Sequence, residues 1–125
     1  MRFQTSLAVA FVLLSALSGC ATSQRYAWGS YEKSLYVYYK VPATAGKFAQ
    51  SLQTVISDSE RTKAPVAPGI YAEYGYLLLQ QGNRADAVVS FRREETQWPE
   101  SKIFMDHMIQ VASGNSVAQV PAKEP

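Results

Sequence analysis

Between residues 30 and 112 apolar side chains recur at helical spacing in five stretches, and each stretch is closed by proline or glycine. In the first, Tyr31, Leu35 and Tyr38 or Tyr39 share a face, which predicts a helix from about Ser30 to Lys40 ended by Pro42. The aromatic and valine content of Leu35–Tyr39 makes a strand the competing assignment there. The second helix runs from an N-cap at Thr44 to Glu60 or Arg61, with Phe48, Leu52, Val55 and Ile56 as its apolar stripe. Two prolines in Thr62–Pro68 make that segment a loop and place Pro68 in the first turn of the next element. A third helix, Gly69–Gln80, carries Ile70, Tyr71, Tyr74, Leu77 and Leu78, and Gly82 closes it. A fourth, Arg84–Thr96, turns Ala87, Val88 and Phe91 inward and Arg92, Arg93, Glu94 and Glu95 to water, and Pro99 stops it. A fifth, Glu100–Ala112, presents Ile103, Phe104, Met108 and Val111 to the core, and the polar, small residues of 113–125 predict a disordered tail. The pattern therefore predicts an all-α chain.

The third and fourth helices carry a more specific spacing. Tyr71, Tyr74-Gly75, Leu78, Ala87, Phe91 and Pro99 stand in the order and register of the tetratricopeptide repeat, with Gly82 at the turn. Small residues at 75 and 87 allow two antiparallel helices to approach closely, and Phe91 fills the space between them. Glu94 departs from the pattern, which has alanine there. One such hairpin cannot bury its own apolar face, so the fifth helix is expected to cap it on one side. The first two helices stack on the other as a degenerate repeat, giving a short tetratricopeptide-like array of four to five helices.

Upstream the pattern changes. Arg2 is followed by an apolar run from Leu7 to Leu17 broken only by Ser15, about a dozen residues and too short to span a bilayer. It ends in Leu17-Ser18-Gly19-Cys20, which resembles the lipobox of bacterial lipoproteins, where the signal is cut before a cysteine that carries the acyl chains. Residues 1–19 are then a signal peptide, Cys20 the lipidation site, and 20–29 a lipidated tether ahead of the domain at 30–112. Two or three chains, palmitate among them, hold such a protein on its membrane, since each buried methylene contributes about 0.8 kcal/mol. Ala21 is not the aspartate that resembles an inner-membrane retention signal, which places the anchor in the outer membrane, on its periplasmic face.

Composition narrows the chemistry. Cutting after residue 19 leaves 106 of the 125 residues, one small domain, and lowers the net charge from +2 to about +1. That balance has no basic face for nucleic acid. Cys20 is the only cysteine, so neither an intramolecular disulfide nor a cysteine-based metal site can form, and no metal or cofactor is expected. The only histidine, His107, adjoins Asp106 in one helix, where the two side chains diverge by about 100° and cannot act as an oriented pair. Glu94, Glu95 and Glu100 are the carboxylates a cell-wall hydrolase would need, and they read as solvated residues near a helix end. The reading is non-enzymatic.

Binding has more material. Trp28, Tyr31, Tyr36 and Tyr39 belong to an aromatic segment denser than so small a core can hide, and Glu73, Tyr76 and Gln80 fall on the third helix away from its core stripe. These seven are the candidate partner-binding residues; contact of the aromatic segment with the core or with lipid headgroups is the alternative for it.

The order of lipobox, Trp28-Gly29-Ser30-Tyr31-Glu32, Leu35-Tyr36, proline loop, Tyr74-Gly75-Tyr76-Leu77-Leu78 and helical end resembles a family of small bacterial lipoproteins of unknown function. Members of that family look like companions of CsgG-like outer-membrane lipoproteins, so the resemblance implies an envelope assembly or secretion role with such a partner and supplies no catalytic residues. The expected function is that of a lipid-anchored adaptor or assembly factor; the rival is a peptidoglycan-binding or wall-hydrolase accessory lipoprotein.

Overall fold

The structure is a computed structural model and describes residues 25–114. The expected signal peptide, Cys20 and most of the expected tail lie outside the described residues. Five α-helices follow one another: α1 Tyr31–Lys40, α2 Ala45–Arg61, α3 Ile70–Gln80, α4 Arg84–Gln97 and α5 Lys102–Ala112. Single 3₁₀ turns at Pro42–Thr44 and Pro99–Ser101 follow α1 and α4, each opening on a proline whose missing N–H needs no partner there. The Leu35–Tyr39 segment is helical, and no strand occurs among the described residues. None of the described helices is long and apolar enough to cross a membrane.

Each helix packs chiefly on the next in sequence, so the domain is an array with two cores rather than a bundle around one. The first core joins Phe48, Leu52, Val55 and Ile56 of α2 to Val66 and Ala67 of the loop and to Ile70, Tyr71 and Leu77 of α3; α1 covers it with Tyr31, Leu35 and Tyr38. The second joins Leu78 of α3 to Ala87 and Phe91 of α4 and to Met105 and Ala112 of α5. Consecutive residues Leu77 and Leu78 thus face opposite cores, and Tyr74 packs against both. The helix α3 is the shared wall.

The α3–α4 crossing is as close as Gly75 and Ala87 require. A Cβ at position 75 would lie 2.7 Å and 2.9 Å from two ring carbons of Phe91 and 3.2 Å from the Ala87 carbonyl oxygen. The hairpin turns through Gly82 at φ 82°, a left-handed conformation in which glycine has no Cβ to clash. Asn83 then caps α4: its Oδ1 accepts from the Asp86 amide at 3.3 Å, and its Nδ2 donates to Asp86 Oδ2 at 2.6 Å.

Three expectations about element ends are corrected. Thr44 occupies the N-cap position of α2 without capping it, because its hydroxyl donates to the Val41 carbonyl at 2.8 Å instead. Pro68 stands outside α3; Gly69, at φ 89°, is the residue that turns the chain into it. The α-helical part of the last element begins at Lys102 rather than Glu100, the preceding turn being 3₁₀.

Two expectations about faces are also corrected. The last helix is rotated relative to the predicted stripe: Ile103 is 88% exposed, and Phe104 and Val111 also face outward, while Met105 and Ala112 are buried and Met108 and Ile109 half-buried. The apolar sets 104, 108, 111 and 105, 108, 109, 112 overlap, and contact with α4 selects the second. Glu94, expected in water, is 2% exposed, and Glu95 is half-buried beside it.

Candidate functional site

Why Glu94 is inside becomes clear from α3. The first amides of a helix lack intrahelical acceptors, and Gly69 at the N-cap has no side chain to offer one. Glu94 of α4 supplies it: Oε1 accepts from the Gly69 amide at 2.7 Å, and the carboxyl lies at the positive end of the α3 dipole. Its Oε2 is equally buried and makes no hydrogen bond of good geometry among the described residues. Burial pushes the Glu94 carboxyl above the usual carboxylate range, against the opposing pull of the Gly69, Ala72 and Tyr71 amides. The carboxylate is engaged in holding α3 against α4. Ser90, buried one turn earlier on α4, donates to the Tyr71 carbonyl at 2.7 Å and ties the same two helices.

In front of this junction a groove of about 340 Å³ opens between alternate helices. Tyr31 comes from α1, Glu73 and Tyr76 from α3, and Phe104 and Met108 from α5. The Tyr31 hydroxyl donates to Glu73 Oε2 at 2.9 Å and bridges α1 to α3 across the groove. Burial, with the neighbouring Glu73 carboxylate adding to it, pushes the Tyr31 hydroxyl up to about 12, so the proton stays on the phenol at physiological pH. Burial also raises the Glu73 carboxyl, and the Tyr31 hydrogen bond opposes that rise in part. No lysine or arginine among the described residues lines the groove. Its outer rim is the half-exposed ring of Tyr76 and the largely exposed ring of Phe104.

Of the seven candidate residues, the structure therefore brings Tyr31, Glu73 and Tyr76 together. Trp28 joins them at the edge, its ring 5.5 Å from that of Tyr31. Tyr36 and Tyr39 point the other way, outward from α1, with the Lys40 ammonium 5.6 Å and 5.7 Å from their ring centroids. Gln80 is exposed at the far end of α3 and does not line the groove. The aromatic segment is split: Tyr31 and Tyr38 pack on Phe48 at 6.1 Å and 5.1 Å between centroids, while Tyr36 and Tyr39 stay in solvent.

Sequence reasoning missed Phe104 and Met108 as groove residues because both were assigned inward to the core. The signal was present in the excess of large apolar residues on α5, more than one face can bury. It also missed Trp98, whose Nε1 donates to the Val66 carbonyl at 3.2 Å and whose ring meets Tyr26 edge-on at 6.2 Å, pinning the N-terminal segment to the loop before α3.

Residues 25–108 match a family described as a domain of unknown function (DUF4810). The chain belongs to the DUF4810 family. The DUF4810 match begins six residues before Tyr31 and stops at Met108, so every groove side chain named above lies inside it. No match is found among curated proteins or among solved structures.

Proposed function

We propose that this DUF4810 chain is a non-enzymatic interaction adaptor of the bacterial envelope, lipid-anchored through Cys20 on the periplasmic face of the outer membrane. The groove between α1, α3 and α5 is the docking surface. The observation that carries the reading is that the exposed phenol ring of α3, Tyr76, and the exposed phenyl ring of α5, Phe104, line one groove. Aromatic anchors around a partly desolvated polar group are the chemistry of interaction hot spots. The α3–α4 hairpin supports a tetratricopeptide-like assignment, since Gly75, Ala87 and Phe91 meet at the crossing as that repeat requires. In such arrays the first helix of each hairpin lines the groove, as α1, α3 and α5 do here. A CsgG-like outer-membrane lipoprotein is the proposed partner; sharing a membrane with it raises the effective concentration of each for the other.

The test is crosslinking in intact cells with the lipidated chain, followed by comparison with Tyr76→Ala and Phe104→Ala. Recovery of one envelope protein with wild type, and its loss with either variant, is the expected result. Equal recovery with both variants removes the groove from the mechanism, and recovery of peptidoglycan alone replaces the adaptor reading by the wall-binding one.

A further inference from the structure

The groove has a charge problem that its own residues leave open. Glu73 is half-buried among aromatic and thioether side chains, and its only side-chain partner among the described residues is the neutral Tyr31 hydroxyl. The lysines on the groove's own helices are placed elsewhere: Lys102 of α5 pairs with Asp106 at 3.0 Å, Lys40 of α1 lies over Tyr36 and Tyr39, and Lys33 of α1 lines a separate hollow beside Trp28. Taking a carboxylate out of water is unfavourable unless a cation or sufficient donors replace the lost hydration. One phenol is a single donor. The rings of Tyr31, Tyr76 and Phe104 line the same groove, and the quadrupole of an aromatic ring attracts a cation. An acidic group in an aromatic-lined groove with no basic side chain among the described residues of its walls is complementary to an alkylammonium or guanidinium group carried on an apolar stem.

We propose that the groove takes a lysine or arginine side chain from an apolar-flanked segment of the partner protein, with Glu73 as its counter-ion and Tyr76 and Phe104 against its stem. This assignment rests on the adaptor reading and names the partner's chemistry. Glu73 Oε2 keeps the Tyr31 hydrogen bond, while Oε1, free of any hydrogen bond among the described residues, accepts from the incoming cation. The apolar flanks of the segment lie on Met108 and Phe104. Desolvation of the pair on binding strengthens the interaction relative to a surface ion pair, and the cation removes the cost of leaving Glu73 half-buried.

A displayed library of random heptapeptides, selected on the full chain held in detergent micelles, supplies the probe. The expected outcome is enrichment of peptides with one basic residue between apolar ones. The enriched peptide, titrated by fluorescence anisotropy, should bind about tenfold more weakly to Glu73→Gln. That variant keeps the volume and an acceptor for Tyr31, and its far-UV circular dichroism and melting should match wild type. Repeating the selection on Glu73→Lys should exchange the preferred basic residue for an acidic one. A basic preference untouched by Glu73→Gln overturns the proposal. Neutral apolar peptides that bind wild type and are lost on Tyr76→Ala overturn the cationic assignment and leave the groove as a docking surface. Absence of any groove-dependent peptide overturns both. Binding that emerges only when the chain is ended at Gly114 would assign the groove to this chain's own Lys123, and so would also overturn the partner reading.

Discussion

At the scale of single residues, two positions hold α3 and α4 together by opposite means. Gly75 does so by having no side chain. Alanine there gains about 1 kcal/mol of helix propensity, but its Cβ would press on the fully buried Phe91 ring, and overpacking a closed site costs about 1–3 kcal/mol. Gly75→Ala is therefore expected to be destabilising by about 1 kcal/mol, read as a lower urea midpoint at unchanged slope. Glu94 holds the helices by putting a carboxylate where the α3 amides need an acceptor. Glu94→Ala leaves the Gly69 amide unpaired and is expected to lose about 1–3 kcal/mol. Glu94→Gln behaves differently. Because the folded-state carboxyl is raised above its unfolded value, the native chain binds a proton more readily than the unfolded one, so this residue's contribution to stability falls as pH rises from the ordinary carboxylate range through the raised value. Gln keeps an acceptor for Gly69 and carries no charge. The wild-type-minus-Gln difference in unfolding free energy should decline across that window, and a flat difference would show that burial does not govern this group. Nothing in the amino-acid order near Glu94 distinguishes it from its solvated neighbours Arg92 and Arg93. Its role depends on Gly69 lying opposite, 25 residues away, and was legible only as a departure from the repeat pattern.

At the scale of elements, helix existence and the stripes of α2 and α3 could be read from spacing, because α2 has one dominant apolar face and α3 has apolar residues on both; of the α4 face only Ala87 and Phe91 could be read, since its other buried residues, Ser90 and Glu94, are polar. The rotation of α5 could not. Its eleven residues include seven apolar ones, enough to make two overlapping stripes, and only contact with α4 chooses between them. The choice is measurable. Met105→Ala removes a fully buried side chain and should cost about 2–5 kcal/mol. Ile103→Ser, the change that would be the more damaging under the sequence-based phase, should shift stability by no more than about 0.5 kcal/mol. The same ambiguity hid the candidate site. Glu73 and Tyr76 were visible as residues off the core stripe of α3, and Tyr31 as part of the aromatic segment. Their convergence with Phe104 needed the true rotation of the last helix. Tyr36 and Tyr39 illustrate the converse: composition marked them as binding residues, yet α1 turns them away from the groove.

At the scale of the whole molecule, two cores divided by α3 make stability a sum of neighbouring contributions rather than a single closed interior. The helix α1 has no fully buried residue, whereas α2 has six. Amide exchange should therefore be fastest among the helices in α1, and protection there close to that of α2 would contradict a layered array. Tyr74 is the side chain common to both cores, so Tyr74→Ala should weaken their coupling as well as total stability. The expected signature is a broader urea transition with a reduced slope, against the parallel shift expected of a substitution confined to one core.

The Glu94 cap also orders events in time. A chain emerging from a ribosome or across a membrane presents its N-terminal residues first, and the α2 stripe with the Val66–Ala67 loop is complete well before residue 94 appears. The first turn of α3 is not, because the carboxylate that completes it is encoded 25 residues downstream of Gly69. Until α4 arrives, the wall between the two cores has a loose leading edge, and the groove built on that wall does not yet exist. A chain interrupted between α3 and α4 is thus left with a hydrophobic first core and without the groove proposed for docking, a half-made product open to proteases, so that quality control can act on it before that groove forms.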